Sequence, residues 1–348
     1  HMFSRNRFAV PAKHDPIYGM TDLATPTTPV PVTILSGFLG AGKTTLLERI
    51  LKDPQGTRYG VLVNDFGAIN IDAELIVETG ADQVSLANGC ICCTIRDDLV
   101  EAIGNLLDAV PPPEHLVIET SGVSRPVAVA DAVEDPTLAG RVSLDAVFCL
   151  VDAAGFRDLD YASTELAIEQ VCGADMAVIN KCDIASDQDI ANVETTLRGP
   201  LPKLRVLRTR YAEVPREVLF GPGRPAPMRT KPEATGHEHD HDHEHDHEHD
   251  HGAEFEAWSW RTEAPRDRAR FREAVRALPE SLLRAKGVLR FADRPSERAV
   301  FQLVGKRHTL SAESGTAPAT SQLVAIGRHG AFDAEPLTEI FDACRATG

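Results

Sequence analysis

The chain has 348 residues, 43% of them hydrophobic, with 36 Lys+Arg against 52 Asp+Glu and a formal net charge of -16. That length accommodates a large domain and a smaller one, and a field of that sign repels phosphate backbones and anionic lipid heads, so neither nucleic acid nor a membrane surface is expected as a partner. There is no uninterrupted apolar run of about 18 residues and no signal-peptide order at the N-terminus, so the sequence reads as a soluble, cytoplasmic protein.

Residues 1–29 are polar with scattered prolines and no sustained period, and read as a flexible leader. From Val30 onward, short β-branched runs alternate with helical patterns, which predicts βα units on a mostly parallel, doubly wound sheet over residues 30–221. The first strand, Val32 to Leu35, runs into Gly37-Phe38-Leu39-Gly40-Ala41-Gly42-Lys43-Thr44 and then a helix over Thr44 to Leu51. Glycines in that strand-to-helix turn let backbone N–H groups surround a β-phosphate at a helix N-terminus; Lys43 neutralises the β/γ oxygens and Thr44 ligates Mg²⁺. Thr45 is counted with these nucleotide-binding residues.

The next strand, Gly60 to Asn64, ends in Asn64-Asp65-Phe66-Gly67, where a first switch would respond to the γ-phosphate, with Asp65 as its candidate carboxylate. Gln83 to Ala87 reads as a strand leading into Gly89-Cys90-Ile91-Cys92-Cys93, ahead of a helix over Arg96 to Ala109. Three of the seven cysteines thus crowd into four positions, too close together to favour bridging one another and suited to zinc, Co²⁺ or Cu⁺. Three thiolates leave a tetrahedral site one ligand short, which Asp65, a water or a client's donor could fill. Cys149 and Cys172, inside apolar runs, read as small hydrophobes.

His115 to Glu119 is an apolar strand ending in Glu119-Thr120-Ser121-Gly122, the place of the Mg²⁺-side acid and the second switch glycine in P-loop GTPases. Leu144 to Val151, Met176 to Asn180 and Leu204 to Leu207 complete the strands. Asn180-Lys181-Cys182-Asp183 follows the second of these and matches the guanine signature Asn-Lys-x-Asp. Asp183 can accept from guanine N1–H and N2–H₂, whereas adenine would leave the carboxylate unpaired, so GTP is preferred to ATP. Lys43, Thr44, Glu119 and Asp65 are the candidate catalytic residues of a GTPase.

Residues 222–252 are a linker, Pro/Gly-rich at first and then strictly alternating. His237, His239, His241, His243, His245, His247, His249 and His251 interleave with seven carboxylates. No packing argument explains that run; it reads as an auxiliary collecting tract for divalent metal, zinc being favoured by abundance. Residues 253–348 form a smaller α+β domain, with strands at Phe255 to Trp260, Val288 to Phe291, Val300 to Val304 and Gln322 to Ile326. Its helices are expected over Pro265 to Leu278 and Glu335 to Arg345, and His308 and His329 read as ordinary surface or packing residues.

The P-loop, Asn64 to Gly67, Asn88 to Cys93, Glu119 to Gly122 and Asn180 to Asp183 occur in the order found in CobW-type metallochaperone GTPases, which the chain therefore resembles. Leu283 to Gly287 and Gln302 to Gly305 resemble that family's C-terminal domain. The resemblance implies GTP at Gly37 to Thr44, guanine at Asn180, Lys181 and Asp183, and metal at Cys90, Cys92 and Cys93. It also implies that Thr94, Ile95, Arg96 and Asp97 lie near the nucleotide. Family members usually carry Glu where this chain has the shorter Asp65. The resemblance implies Mg²⁺ and Zn²⁺ as cofactors, with Co²⁺ or Fe²⁺ as alternatives, and a metal-requiring client as partner, with a homodimer left open. Two other readings stand beside zinc transfer. One is cobalt or iron insertion for cobalamin synthesis or a nitrile-hydratase-like enzyme; the other is a passive zinc buffer with a slow nucleotide site.

Overall fold

The computed structural model describes residues 28–63, 83–85, 94–221 and 255–346. Asp65, Cys90, Cys92, Cys93 and the His237–His251 tract lie outside the described residues.

β1 (Val30–Gly37), β4 (His115–Glu119), β5 (Val142–Asp152) and β6 (Met176–Asn180) are predominantly apolar and buried almost throughout, the pattern of strands covered on both faces. With β2 (Tyr59–Val63), β3 (Gln83–Ser85) and β7 (Val206–Arg208) they form one seven-stranded sheet in the order β3-β2-β4-β1-β5-β6-β7. Every pairing in it is parallel. The chain leaves β1 toward one edge and later returns to build the other, so the crevice at the carboxyl ends of β1, β4 and β5 is where an open α/β sheet binds ligands.

One face of this sheet is covered by α2 (Thr94–Leu107), α3 (Pro126–Val133), α4 (Tyr161–Cys172) and α5 (Asp187–Arg198), through Leu99, Ile103, Val129, Val133, Ala167, Val171, Ile190 and Val193. The other face is covered by α1 (Lys43–Lys52) and α6 (Arg216–Phe220), through Leu46, Leu47, Ile50, Val218 and Leu219. The second core also takes in Leu283, Val304 and Ile326 from the C-terminal part of the chain. The two halves therefore share buried apolar surface.

That C-terminal part is a five-stranded antiparallel sheet, β11-β10-β9-β12-β8, made of β8 (Phe255–Thr262), β9 (Leu282–Leu289), β10 (Glu297–Val304), β11 (Arg307–Thr316) and β12 (Ser321–Arg328). α7 (Arg268–Arg276) and α8 (Ala334–Asp342) lie on it, around Trp258, Trp260, Phe271, Phe301 and Phe341. Three expectations are corrected here. β9 starts at Leu282, not Val288; Arg284 and Lys286 break the apolar run, yet Arg284 is buried against the first domain. β11 was not expected as a strand: it is a polar edge strand held by its backbone ladder to β10. Cys172 is exposed at the end of α4, whereas Cys149 is buried in β5 and its thiol is pushed up to about 12 by burial. His308 is exposed, and His329 is exposed with Nδ1 3.4 Å from a Glu256 oxygen.

The domains join at the amino-terminal ends of β5, β6 and β7, the end of the sheet opposite the crevice. Arg284 Nη2 meets Asp145 Oδ2 at 2.5 Å, both side chains being buried, and Nη1 donates to Leu219 O at 2.6 Å. Arg307 pairs with Asp175 at 2.9 Å and donates to Asp145 O at 2.6 Å. Arg328 reaches Val206 O at 2.6 Å, and Arg205 donates back to Gly305 O.

Beside this joint, buried His115 opens β4 with Nε2 2.8 Å from Thr33 Oγ1 and its ring edge-on to Phe220. Burial, opposed by Asp145 and assisted by Arg284 and Arg216, pulls its pKa from 6.5 down to about 4. Between those two values the unfolded chain binds a proton that the folded one does not, so stability falls as pH falls through the window, by about 2 kcal/mol at pH 5. Thermal melts from pH 7.5 to 5 should show a steeper loss of Tm for the native chain than for His115→Gln, which has no imidazole to protonate. Parallel curves would remove His115 as the source.

Candidate nucleotide site

At the carboxyl end of β1 the chain turns through residues 38–42 into α1. Gly42 stands at the N-cap with φ 104°. A Cβ there would come within 2.4 Å of Asn180 Nδ2, so both backbone sign and space require glycine. Lys43 is buried and its ammonium donates to Gly37 O at 2.9 Å and Phe38 O at 3.2 Å, which holds the charge inside the loop. Thr44 Oγ1 donates to Glu119 Oε1 at 2.7 Å, joining the start of α1 to the end of β4. A hydroxyl and a carboxylate in direct contact beside a phosphate cradle are the hard oxygen donors that suit Mg²⁺. Leu39 is partly exposed, with its side chain against Gly122; Gly40 and Ala41 complete the turn, and Thr45 lies in the first turn of α1.

The Asn180–Asp183 segment is brought to this loop by two bonds from one buried side chain. Asn180 Nδ2 donates to Ala41 O at 2.9 Å, and its Oδ1 accepts from Ala212 N at 2.8 Å. Lys181 takes a left-handed backbone, φ 62°, and its ammonium pairs with Asp152 Oδ2 at 2.7 Å. Asp152 Oδ1 in turn accepts from the N–H groups of Ala154 and Gly155, both at 3.0 Å. Asp183 is exposed beyond them.

The sequence reading missed Asp152 and the Tyr211-Ala212 corner. The latter has positive φ at two consecutive non-glycine residues and is tied to α1 by Arg49, which donates to Tyr211 O at 2.7 Å and pairs with Glu213 at 3.1 Å. The Asp before Ala-Ala-Gly at the end of an apolar strand was a visible signal for the first; nothing local marks the second.

Thr94–Asp97 form the first turn of α2. Arg96 pairs with Asp135 Oδ2 at 2.6 Å, beyond the end of α3. Among the described residues no group of three or more His, Cys, Asp or Glu could hold a metal ion, and no helix is long and apolar enough to cross a membrane.

A parallel doubly wound sheet with this loop at the end of its central strand, and an Asn-Lys-x-Asp segment bonded to it, defines a P-loop nucleotide-binding protein. The comparison with known proteins narrows that class: the chain belongs to the CobW/HypB/UreG nucleotide-binding family, matched over residues 31–208, and carries a cobalamin synthesis protein cobW C-terminal domain over residues 255–345. It is 32% identical over 222 residues to a zinc chaperone CobW from a Sinorhizobium species, covering 56% of this chain and 63% of that one. It is 37% identical over 166 residues to the zinc chaperone YjiA of Escherichia coli, covering 46% of this chain and 52% of that one. The chain thus spans under two thirds of the length of these curated relatives. Among solved structures, the Zn(II)-bound YjiA GTPase from E. coli aligns with 91% of this chain and 99% of its own, at 24% identity and a TM-score of 0.44.

Proposed function

We propose that this chain is a GTPase that binds a transition metal, zinc foremost, and couples GTP binding and hydrolysis to delivery of that metal to a client protein. The observation that carries the nucleotide half is the bond from Asn180 to Ala41 O, which sets a guanine signature and a phosphate loop at one fixed separation. Lys43 would balance the charge of the β- and γ-phosphates, and Thr44 and Glu119 would hold Mg²⁺. Bound Mg²⁺ supplies charge neutralisation at the transferring phosphoryl group. Asp183 selects guanine, while Lys181, pinned by Asp152, lies beside it.

The metal half is supported by the thiol triad Cys90, Cys92 and Cys93 in the sequence and by relatives named zinc chaperones. Zinc is here the cargo, held as thiolate ligands allow and released to a client when the γ-phosphate is lost; Asp65 or a client donor completes the site, and the histidine tract gathers the ion.

The test measures Zn²⁺ and Co²⁺ affinity by competition with a chelating probe, with Mg²⁺ plus either a non-hydrolysable GTP analogue or GDP. Binding is expected to be tighter with the analogue, by about tenfold if coupling follows the usual 1–3 kcal/mol, and to lose that dependence in a Cys90→Ser, Cys92→Ser, Cys93→Ser variant. Equal affinity with both nucleotides would sink gating and leave a passive buffer; a preference for Co²⁺ over Zn²⁺ at matched free-metal levels would redirect the cargo to cobalt.

A further inference from the structure

Gln170 is fully buried on α4, whose other buried residues are Ala167 and Val171. Its amide nitrogen donates to two carbonyls of one short segment, Gly122 O and Ser124 O, each at 3.0 Å. Its Oε1 meets no donor among the described residues. Burying an amide with one end unsatisfied carries a desolvation cost that a leucine of similar volume would not, so filling space does not account for glutamine here. Its two N–H groups account for it: both hold the turn that follows Glu119.

That turn abuts the phosphate loop. A Cβ on Gly122 would come within 2.6 Å of Leu39 Cδ2 and 2.8 Å of the Leu39 backbone nitrogen, so only glycine allows the two segments this close. Phe38, Leu39, Phe156, Ala167 and Gln170 line one cavity of about 160 Å³ behind the contact. Three pieces of chain therefore meet here: the P-loop, the turn three residues beyond the carboxylate bonded to Thr44, and α4. Room on the α4 side would let the turn shift unless Gln170 held it.

We infer that Gln170 is a positioning residue for GTP hydrolysis: its amide holds Gly122 against the P-loop and thereby fixes Glu119 relative to Thr44 and the γ-phosphate. The inference rests on the GTPase reading above. Because GDP has no γ-phosphate, GDP binding should depend little on this brace, while turnover should depend on it strongly; a misplacement near 1 Å costs about 100-fold in rate.

The experiment compares GTP turnover of the full chain with Gln170→Leu and Gln170→Glu from pH 6 to 8.5, with GDP affinity measured alongside. Q170L is expected to lower kcat by about 10- to 100-fold while KM and GDP affinity stay within about twofold. Q170E presents a carboxylate to two carbonyl oxygens when ionised and one O–H donor when protonated. Its kcat should therefore rise as pH falls, toward the native value, over a range where native and Q170L profiles run parallel to each other. Should Q170L fail to hold GDP, the pH response of Q170E decides alone. Native-like kcat in Q170L, or a Q170E profile parallel to the native one, would overturn the inference. A native chain that hydrolyses no GTP would instead overturn the GTPase reading itself, before either variant is consulted.

Discussion

Replacing Asp183 with Asn should weaken GTP and GDP binding by about 100-fold or more and make the protein accept xanthine nucleotides. The carboxylate is exposed at the end of a braced segment, and asparagine keeps its size and shape. On the proposed reading the carboxylate offers guanine N1–H and N2–H₂ two acceptor oxygens, each hydrogen bond to a charged group being worth about 1.5–3 kcal/mol. An amide keeps one acceptor and turns the other toward N2–H₂ as a donor, so one bond is lost and a donor faces a donor. Xanthine carries a carbonyl in place of that amino group and restores the match. Competition of GDP and XDP against a fluorescent nucleotide reads the result directly. Unchanged GDP affinity in Asp183→Asn would place the base elsewhere and remove Asn180–Asp183 from the site.

The position of Asp183 depends on residues that local sequence marks unequally. Gly37–Thr44 and Asn180–Asp183 are contiguous, and each residue's chemistry is visible from its neighbours: glycine where φ is positive, a cation at a helix start, an acid after an apolar strand. Asp152 and Gln170 are different. Asp152 reaches Lys181 because β5 and β6 are adjacent with Asp152 opposite Asn180 in register, and that register is a property of the sheet. Gln170 lies in the helix pattern as one more polar residue; only the packing of α4 under the turn after β4 makes it buried.

The same division runs through the fold. Strands β1, β4, β5 and β6 are legible because both their faces are covered and each keeps a run of at least four residues without a charge, Ala146 to Val151 in β5. β9 is obscured by Arg284, a charge in a strand, which becomes intelligible once the first domain supplies Asp145 as its partner. β11 is obscured because an edge strand draws its stability from backbone pairing more than from side chains.

The joint between the domains should be the most sensitive point of the scaffold. Asp145→Ala is expected to cost about 3–5 kcal/mol, since it leaves the Arg284 guanidinium buried without its counter-charge. Leu219 O and Val218 O still accept from Arg284 Nη1 but balance none of the charge. Arg284→Leu alone should cost a similar amount, leaving the buried carboxylate to be stripped of its partner. The double variant Asp145→Leu, Arg284→Leu should recover most of the loss, because neither charge then has to be desolvated and the neighbouring Leu283, Val304 and Ile326 already form an apolar surround. Equilibrium denaturation of the four chains closes the cycle. If the single variants cost less than about 1 kcal/mol, the value of an exposed surface pair, the joint is solvated in solution and the domains are free to separate. If the costs of the two singles simply add in the double, Asp145 and Arg284 act independently, and the docking of the C-terminal sheet rests on the apolar contacts and on Arg307 with Asp175. Because this joint lies at the amino ends of β5 to β7 while the phosphate loop lies at the carboxyl end of β1, its loss should lower stability and leave the nucleotide affinity of the folded protein unchanged.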